Sequence, residues 1–385
     1  MNITCDDYEE KLLFRPKSDD LSMEKAGNDT SQPIGINIEL LSGPESEAES
    51  PHVKTESGTK LGLSTRVRAQ LEQKAYRIAG NHSAVQICSW TKKSIENSGD
   101  VHCYKQRFYG ISCHKCAQIT PVVAWCTERC TFCWRPMEFY KTVEISSEEV
   151  DPPRLIIERI IEERRKLLIG YKGNDSVSHE FILDALEPDH WAISLSGEPT
   201  MYPRLPELIR MLRSDYGARS IFLVTNAQDP EMLRRLIRER SLPTQIYVSI
   251  AAPNKNLFEK INRSRFSDGW ERLLESLAVL KGMPTRRVIR YTVIKSENDS
   301  ESLLQDYSKI FSLAEPDFIE IKSYMHLGYS QKRLDRTNML EHNEVGEYAA
   351  RLEKISQYRI IDEVPTSRIV LLKHINSEYN SQIDF

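Results

Sequence analysis

Long apolar runs are missing from this chain. No stretch approaches 18 consecutive apolar residues, and no charged start leads into an apolar segment of the signal-peptide kind. A helical membrane span is thereby excluded, and a soluble, cytoplasmic protein is the expectation. Cysteine is scarce outside one window: of eight cysteines, seven (Cys88, Cys103, Cys113, Cys116, Cys126, Cys130 and Cys133) cluster, and Cys5 stands alone. In a reducing compartment that distribution argues for metal or cluster binding over disulfides. Excess acid is missing from most of the chain as well. The net charge is −4, but residues 1–60 hold 13 acidic and 6 basic side chains, a balance of −7, so residues 61–385 carry +3. The segment 61–110 is more basic still, which can steer a phosphate backbone and is also common on proteins that bind no nucleic acid.

What is present centres on the run VVAWCTERCTFCWRPME, in which Cys126, Cys130 and Cys133 are spaced CxxxCxxC. Three thiolates at this spacing can hold three irons of a 4Fe-4S cube and leave the fourth open to a small molecule. Structural zinc is the alternative, although its tetrahedral sites usually pair short knuckles such as CxxC with CxxC. Trp125, Phe132 and Trp134 interleave the triplet and either exclude water from a cluster or belong to the core.

Residues 18–59 are polar, with no sustained apolar period, and read as a flexible extension. A helix is expected at 65–78 and a strand at 122–125. Helical and strand-like segments then alternate: strands at 190–196, 220–226, 245–251, 287–295 and 318–324, with helices at 154–169, 206–216, 230–240, 257–262, 269–281 and 302–313. Repeated β then α units imply a parallel sheet with outer helices. Six strands cannot close an eight-stranded barrel, so the fold class is α/β, a partial (β/α)6 barrel with N-terminal and C-terminal extensions. An open doubly wound sheet is the other possibility. The expected division is an acidic extension over 1–60, an N-terminal segment over 61–120, the barrel over 121–330 and a C-terminal extension over 331–385. Either fold puts a site at the C-terminal strand ends, where the cysteine loop also falls.

CxxxCxxC at the end of a first strand, with Phe132 before the last cysteine, resembles the signature of radical S-adenosylmethionine enzymes. The resemblance implies that Gly197, Glu198 and Pro199 (SLSGEPTMYP), Thr225 and Asn226, and Ser249 bind the cofactor S-adenosyl-L-methionine. RFYGISCHKCAQITPVVAWCTERCTFCWRP and the later IEIKSYMHLGYSQKRL, with Met339 and His342 beyond, are similar to the tRNA 4-demethylwyosine synthase family in its archaeal form, over about residues 62–375. The flavodoxin-like domain of eukaryotic members has no counterpart in the short, polar segment 1–60, so an external electron donor of ferredoxin or flavodoxin type is implied.

That family resemblance implies two 4Fe-4S clusters, the second on Cys88, Cys103 and Cys116. Cys113 stands where a serine is usual and is either a rival ligand or a bystander. The implied reaction condenses N1-methylguanosine-37 of tRNA(Phe) with pyruvate to give 4-demethylwyosine. Lys105 matches a lysine implicated in holding pyruvate as a Schiff base, with Lys115 its local rival. Candidate tRNA contacts are Arg286, Arg287 and Arg290, then Lys332, Arg333 and Arg336, with Lys322, Tyr324 and His326 at the substrate mouth. Two other readings remain: a radical enzyme that activates a glycyl-radical protein, and a zinc-containing RNA-binding protein without catalysis.

Overall fold

Alternating β-branched runs and amphipathic helices fold as their periods dictate. In the computed structural model, which describes residues 61–385 apart from 142–143 and 174–176, strands β3 (Cys116–Thr120), β4 (His190–Ile193), β5 (Ser220–Thr225), β6 (Gln245–Ile250), β7 (Arg286–Val293) and β8 (Phe318–Ser323) pair in parallel. The extension expected over 1–60 lies outside the described residues.

The six parallel strands lie in chain order. A doubly wound sheet would reverse direction at a switch point; this one never does, so the winding is that of a barrel left open. Antiparallel hairpins extend both edges: β1 (Arg77–Ala79) and β2 (Ser83–Gln86) beside β3, and β9 (Tyr358–Val364) with β10 (Ile369–His374) beside β8.

The crossover helices show why these segments are helical. Between β4 and β5, helix Leu205–Ser214 buries Leu205, Leu208, Ile209 and Leu212 at helical spacing, each burial contributing about 1.5–3 kcal/mol. Between β5 and β6, helix Pro230–Arg238 begins on a proline, and its cap Asp229 accepts the Met232 N–H at 2.9 Å.

Two sequence expectations shift. The first helix stops at Gln73, and Ala75 at φ +60° turns the chain into β1. The strand expected at 122–125 is a buried turn, and the first barrel strand is β3. Pro121 ends that strand because it has no N–H to donate. The Val122 N–H goes to Thr120 Oγ1 at 3.2 Å and the Val123 N–H to the His82 carbonyl at 2.9 Å. An apolar run can be buried as a turn when side chains and a neighbouring strand satisfy its backbone.

Helix Tyr104–Tyr109 enters the barrel from its lower end. Phe108, Tyr109 and Ile111 pack there against Phe222, Tyr247, Val288 and Phe318 on the inner sheet face. The plug closes one end and leaves a cavity above it.

Candidate active site

That cavity has a volume of about 540 Å³ and is lined by Cys126, Cys130 and Cys133 together with Cys88, Cys103, Cys113 and Cys116. Strand alternation supplies its floor: Val224, Ser249, Thr292 and Lys322, each half-open between buried neighbours, face it.

The upper cysteine loop is held from three sides. Thr131 N–H donates to the Ile261 carbonyl at 2.8 Å, and Arg265 N–H to the Thr127 carbonyl at 2.9 Å. From the far end of the chain, Tyr329 N–H donates to the Trp134 carbonyl at 3.0 Å, and the Arg333 guanidinium donates to the carbonyls of Cys133 and Thr131 and pairs with Glu138. The third side is the turn after β4. Gly197, at φ +72°, lies so close that a Cβ would collide with the Val122 carbonyl oxygen and stand 2.6 Å from that of Trp125. Only glycine fits there.

Glu198 follows, buried, its backbone N–H on the Trp125 carbonyl at 2.8 Å. Its Oε1 accepts the hydroxyls of Thr225 (2.6 Å) and Thr200 (2.7 Å), and its Oε2 accepts the Asn226 N–H at 2.8 Å. Burial raises its pKa, and these hydrogen bonds oppose the rise. The Asn226 amide reaches Thr127 Oγ1 at 2.9 Å and tethers the end of β5 to the cysteine loop. Gly197, Glu198, Thr225, Asn226 and Ser249 all line the cavity; Pro199 does not, being buried at the start of a short 3-10 turn.

Two of the lower cysteines arrive on helix starts and a third on a strand start. Cys88 caps helix Ser89–Glu96, its Sγ accepting the Thr91 N–H at 3.3 Å; Cys103 precedes the plug helix; Cys116 opens β3. A helix N-terminus favours a thiolate, but burial pushes Cys88 up, and Cys116 to about 12. Cys113 is buried, lines the same cavity and hydrogen-bonds to Cys103, lowering its pKa. Behind them lies Arg164, fully buried, which donates to the carbonyls of Ala185 and His114, the latter at 2.8 Å.

Lys105 sits on the plug helix, buried, with its ammonium 4.7 Å from the rings of both Phe222 and Tyr247. Burial, then the Arg290 charge, lowers its pKa. Glu320 tempers this from below, accepting Tyr109 OH at 2.7 Å and Arg290 Nε at 3.1 Å. Lys115, the rival, is absent from the cavity lining and pairs with Asp184 (2.9 Å) and Asp189 (3.0 Å).

Several arginines expected on tRNA are structural instead. Arg286 holds the carbonyls of Asn380 and Ser381 at 2.7 and 2.8 Å, Arg287 is paired with Asp317 at 3.0 Å, Arg290 is inside, and Arg333 clasps the cysteine loop. Of the six, Lys332 and exposed Arg336 remain; the ammonium groups of Lys332 and of Lys74, from the basic N-terminal segment, lie 4.8 and 5.7 Å from the Tyr329 ring, with Lys74 and exposed Trp134 on the cavity wall. Lys322 and Tyr324 line the cavity; His326 does not, and meets Tyr324 OH at 3.1 Å.

Sequence reading missed three polar groups. Glu128 Oε1, Asn262 Oδ1 and Gln118 Oε1 are buried without a partner, and all three residues line the cavity. Glu128 Oε2 accepts from Cys130 at 3.1 Å and Asn262 Nδ2 at 3.0 Å, and burial pushes its pKa up to about 8. A carboxylate inside the cysteine triplet was the available signal.

Three thiols, Cys126, Cys130 and Cys133, and a second group of four, Cys88, Cys103, Cys113 and Cys116, line one cavity and fit iron–sulfur clusters by donor chemistry. Among the described residues no three His, Cys, Asp or Glu side chains converge on a point where one ion would sit.

Residues 120–306 match the radical S-adenosylmethionine superfamily, and residues 313–374 match a domain described as wyosine base formation. The chain is 45% identical to an S-adenosyl-L-methionine-dependent tRNA 4-demethylwyosine synthase of Pyrococcus abyssi, over 77% of this chain and 85% of that protein. It is 37% identical to the Methanocaldococcus jannaschii protein of the same name, over 81% and 97%. Among solved structures, TYW1 with a lysine-pyruvate adduct bound is similar at a TM-score of 0.74 and 34% identity, covering 83% of this chain and 99% of that one.

Proposed function

The chain belongs to the tRNA 4-demethylwyosine synthase family of radical S-adenosylmethionine enzymes, and from that premise we propose that it condenses N1-methylguanosine-37 of tRNA(Phe) with pyruvate, using a second 4Fe-4S cluster and an external electron donor of ferredoxin or flavodoxin type. The observation that carries the reading is the single cavity shared by both cysteine sets and Lys105. A solved relative with a lysine-pyruvate adduct bound supports a lysine as the pyruvate handle. Family membership displaces the glycyl-radical and zinc-protein readings.

A 4Fe-4S cluster on Cys126, Cys130 and Cys133, with S-adenosylmethionine bound, would supply a 5'-deoxyadenosyl radical. The remaining work falls to the chain. Gly197, Glu198, Thr225, Asn226 and Ser249 form the wall that would orient S-adenosylmethionine, with Pro199 stiffening the turn behind it. Lys105 attacks the keto carbon of pyruvate and releases water, which requires a neutral amine; burial favours that form. Arg290 lines the cavity and offers a positive charge to the pyruvate carboxylate. Cys88, Cys103 and Cys116 would hold the second cluster, with Cys113 supporting Cys103 as a bystander to the iron.

The target base leaves the anticodon-loop stack, at a cost of a few kcal/mol, and enters past Trp134 and Tyr329. Its N-methyl group would give a hydrogen atom to the 5'-deoxyadenosyl radical, forming 5'-deoxyadenosine; the resulting carbon joins C2 of pyruvate, the pyruvate carboxyl leaves as formate after taking up one electron from the external donor and a proton, and closure of the exocyclic amine onto C2 displaces the Lys105 amine and completes the tricycle.

The test is an anaerobic assay of reconstituted protein with S-adenosylmethionine, dithionite, pyruvate and tRNA(Phe) bearing N1-methylguanosine, read by nucleoside mass spectrometry. The expected result is 4-demethylwyosine together with 5'-deoxyadenosine. Formation of 5'-deoxyadenosine without the new base would overturn the substrate.

A further inference from the structure

The outer side of the upper cysteine loop carries charge that the reaction does not use. Segments 127–131 and 261–265 run side by side: Arg129 N–H donates to the carbonyls of Asn262 and Arg263, both at 3.1 Å, and Glu128 and Ser264 form an antiparallel bridge. Alternation along this pairing turns Glu128 and Asn262 into the cavity, whereas Arg129, Arg263 and Arg265 are absent from its lining. Arg129 and Arg263 are exposed and Arg265 is half-buried.

These three guanidinium groups lack carboxylate partners among the described residues. Two acids of the adjoining segments pair elsewhere, Glu297 with Lys260 at 2.5 Å and Asp268 with Arg272 at 2.9 Å. Arg265 Nε is buried and unbonded. Like charges held together without a counter-charge cost free energy, which an anionic surface docking there would recover.

We propose that Arg129, Arg263 and Arg265 form the docking surface for the electron donor, a one-electron carrier protein with an acidic face. Position decides between this partner and RNA. Arg129 lies between two of the cysteines read above as cluster ligands, so a carrier seated on it reaches the loop by a short route, and electron transfer falls steeply with distance. The aromatic and lysine-rich rim of Trp134, Tyr329, Lys74 and Lys332 is the wall suited to a single-stranded loop. The two partners can then be bound at once. On transfer the carrier is oxidised by one electron, and that electron breaks the sulfonium S–C5' bond of S-adenosylmethionine, giving methionine and the 5'-deoxyadenosyl radical. This inference rests on the radical chemistry proposed above.

The experiment compares wild type with Arg129→Gln/Arg263→Gln/Arg265→Gln and with Arg129→Glu, using the full chain with clusters reconstituted. 5'-Deoxyadenosine formation is driven either by flavodoxin with its NADPH-dependent reductase or by dithionite, and oxidised flavodoxin is titrated calorimetrically as a readout independent of turnover. Expected are flavodoxin binding weakened by about tenfold, an equal fall in the flavodoxin-driven rate at low donor, a smaller gap from wild type at high salt, and an unchanged dithionite-driven rate. Unaltered flavodoxin binding in both variants would overturn the proposal, as would loss of tRNA binding with flavodoxin binding intact. Should the triple variant lose its dithionite rate through misfolding, Arg129→Glu decides the matter by the same comparison. Wild type inactive with dithionite would instead sink the radical reading itself.

Discussion

The ammonium of Lys105 stands 4.7 Å from the ring of Tyr247, buried on a helix that reaches into the barrel from below. Replacing Lys105 by Ala or Arg is expected to abolish 4-demethylwyosine while 5'-deoxyadenosine still forms. Neither variant offers an amine that can form the imine. Borohydride trapping with labelled pyruvate checks the same point, and label retained by the Ala variant would assign the handle elsewhere.

Gly197→Ala would drive a Cβ into the Val122 carbonyl at a positive φ. A loss of more than about 1 kcal/mol in unfolding free energy is expected, with S-adenosylmethionine cleavage lost as the wall withdraws from the cysteine loop. Denaturant unfolding and 5'-deoxyadenosine assays read the two effects separately.

Glu198→Gln exchanges an acceptor for a donor opposite the Thr225 hydroxyl or the Asn226 N–H. One buried group is left unpaired whichever way the amide turns, at about 1–3 kcal/mol. A lower melting temperature and weaker S-adenosylmethionine binding by calorimetry are the expected outcomes; an unchanged melting temperature would contradict the network.

Arg164→Met removes the donor shared by the carbonyls of Ala185 and His114 beside the lower cysteines. Iron content is expected to fall by about four per chain as one cluster is lost, with the upper cluster's spectrum kept. Retention of the full iron content would show that the clamp is not needed for loading.

Acid sensitivity follows from two buried histidines. His82 accepts the Asp151 N–H on Nε2 at 2.8 Å and donates from Nδ1 to the Pro121 carbonyl at 2.6 Å, which fixes a neutral ring. Burial lowers its pKa, and burial also brings His190 down to about 4. Both folded values lie below that of unfolded histidine, so the unfolded chain binds more protons. Their contribution is complete above about pH 6.5 and is lost as pH falls towards 4. Thermal melts across pH 7 to 4 should show the decline, and His190→Gln should flatten part of it.

Most of the fold was legible because its strands are short apolar runs separated by amphipathic helices, a pattern local enough to read from spacing. The error at 122–125 arose because apolar content alone cannot tell a buried strand from a buried turn; the deciding groups, Thr120 Oγ1 and the His82 carbonyl, belong to other residues. The upper cysteines announced themselves by spacing, and the lower set needed a family resemblance because Cys88, Cys103 and Cys116 meet only in space. The arginines were misread for a related reason: a sequence shows a charge but not its partner, and Asp317 lies 30 positions from Arg287.

The clasp of Arg333 on the Cys133 carbonyl spans 200 positions of chain. A ribosome delivers Cys133 long before Arg333, and domains fold largely as they emerge. During synthesis, therefore, the upper thiols pass through a stage in which their loop is unfastened on the C-terminal side. Any iron delivered then meets an unfinished site, so maturation of this enzyme is tied to completion of its last segment, and truncations beyond the barrel would fail as iron proteins before they failed as folded ones.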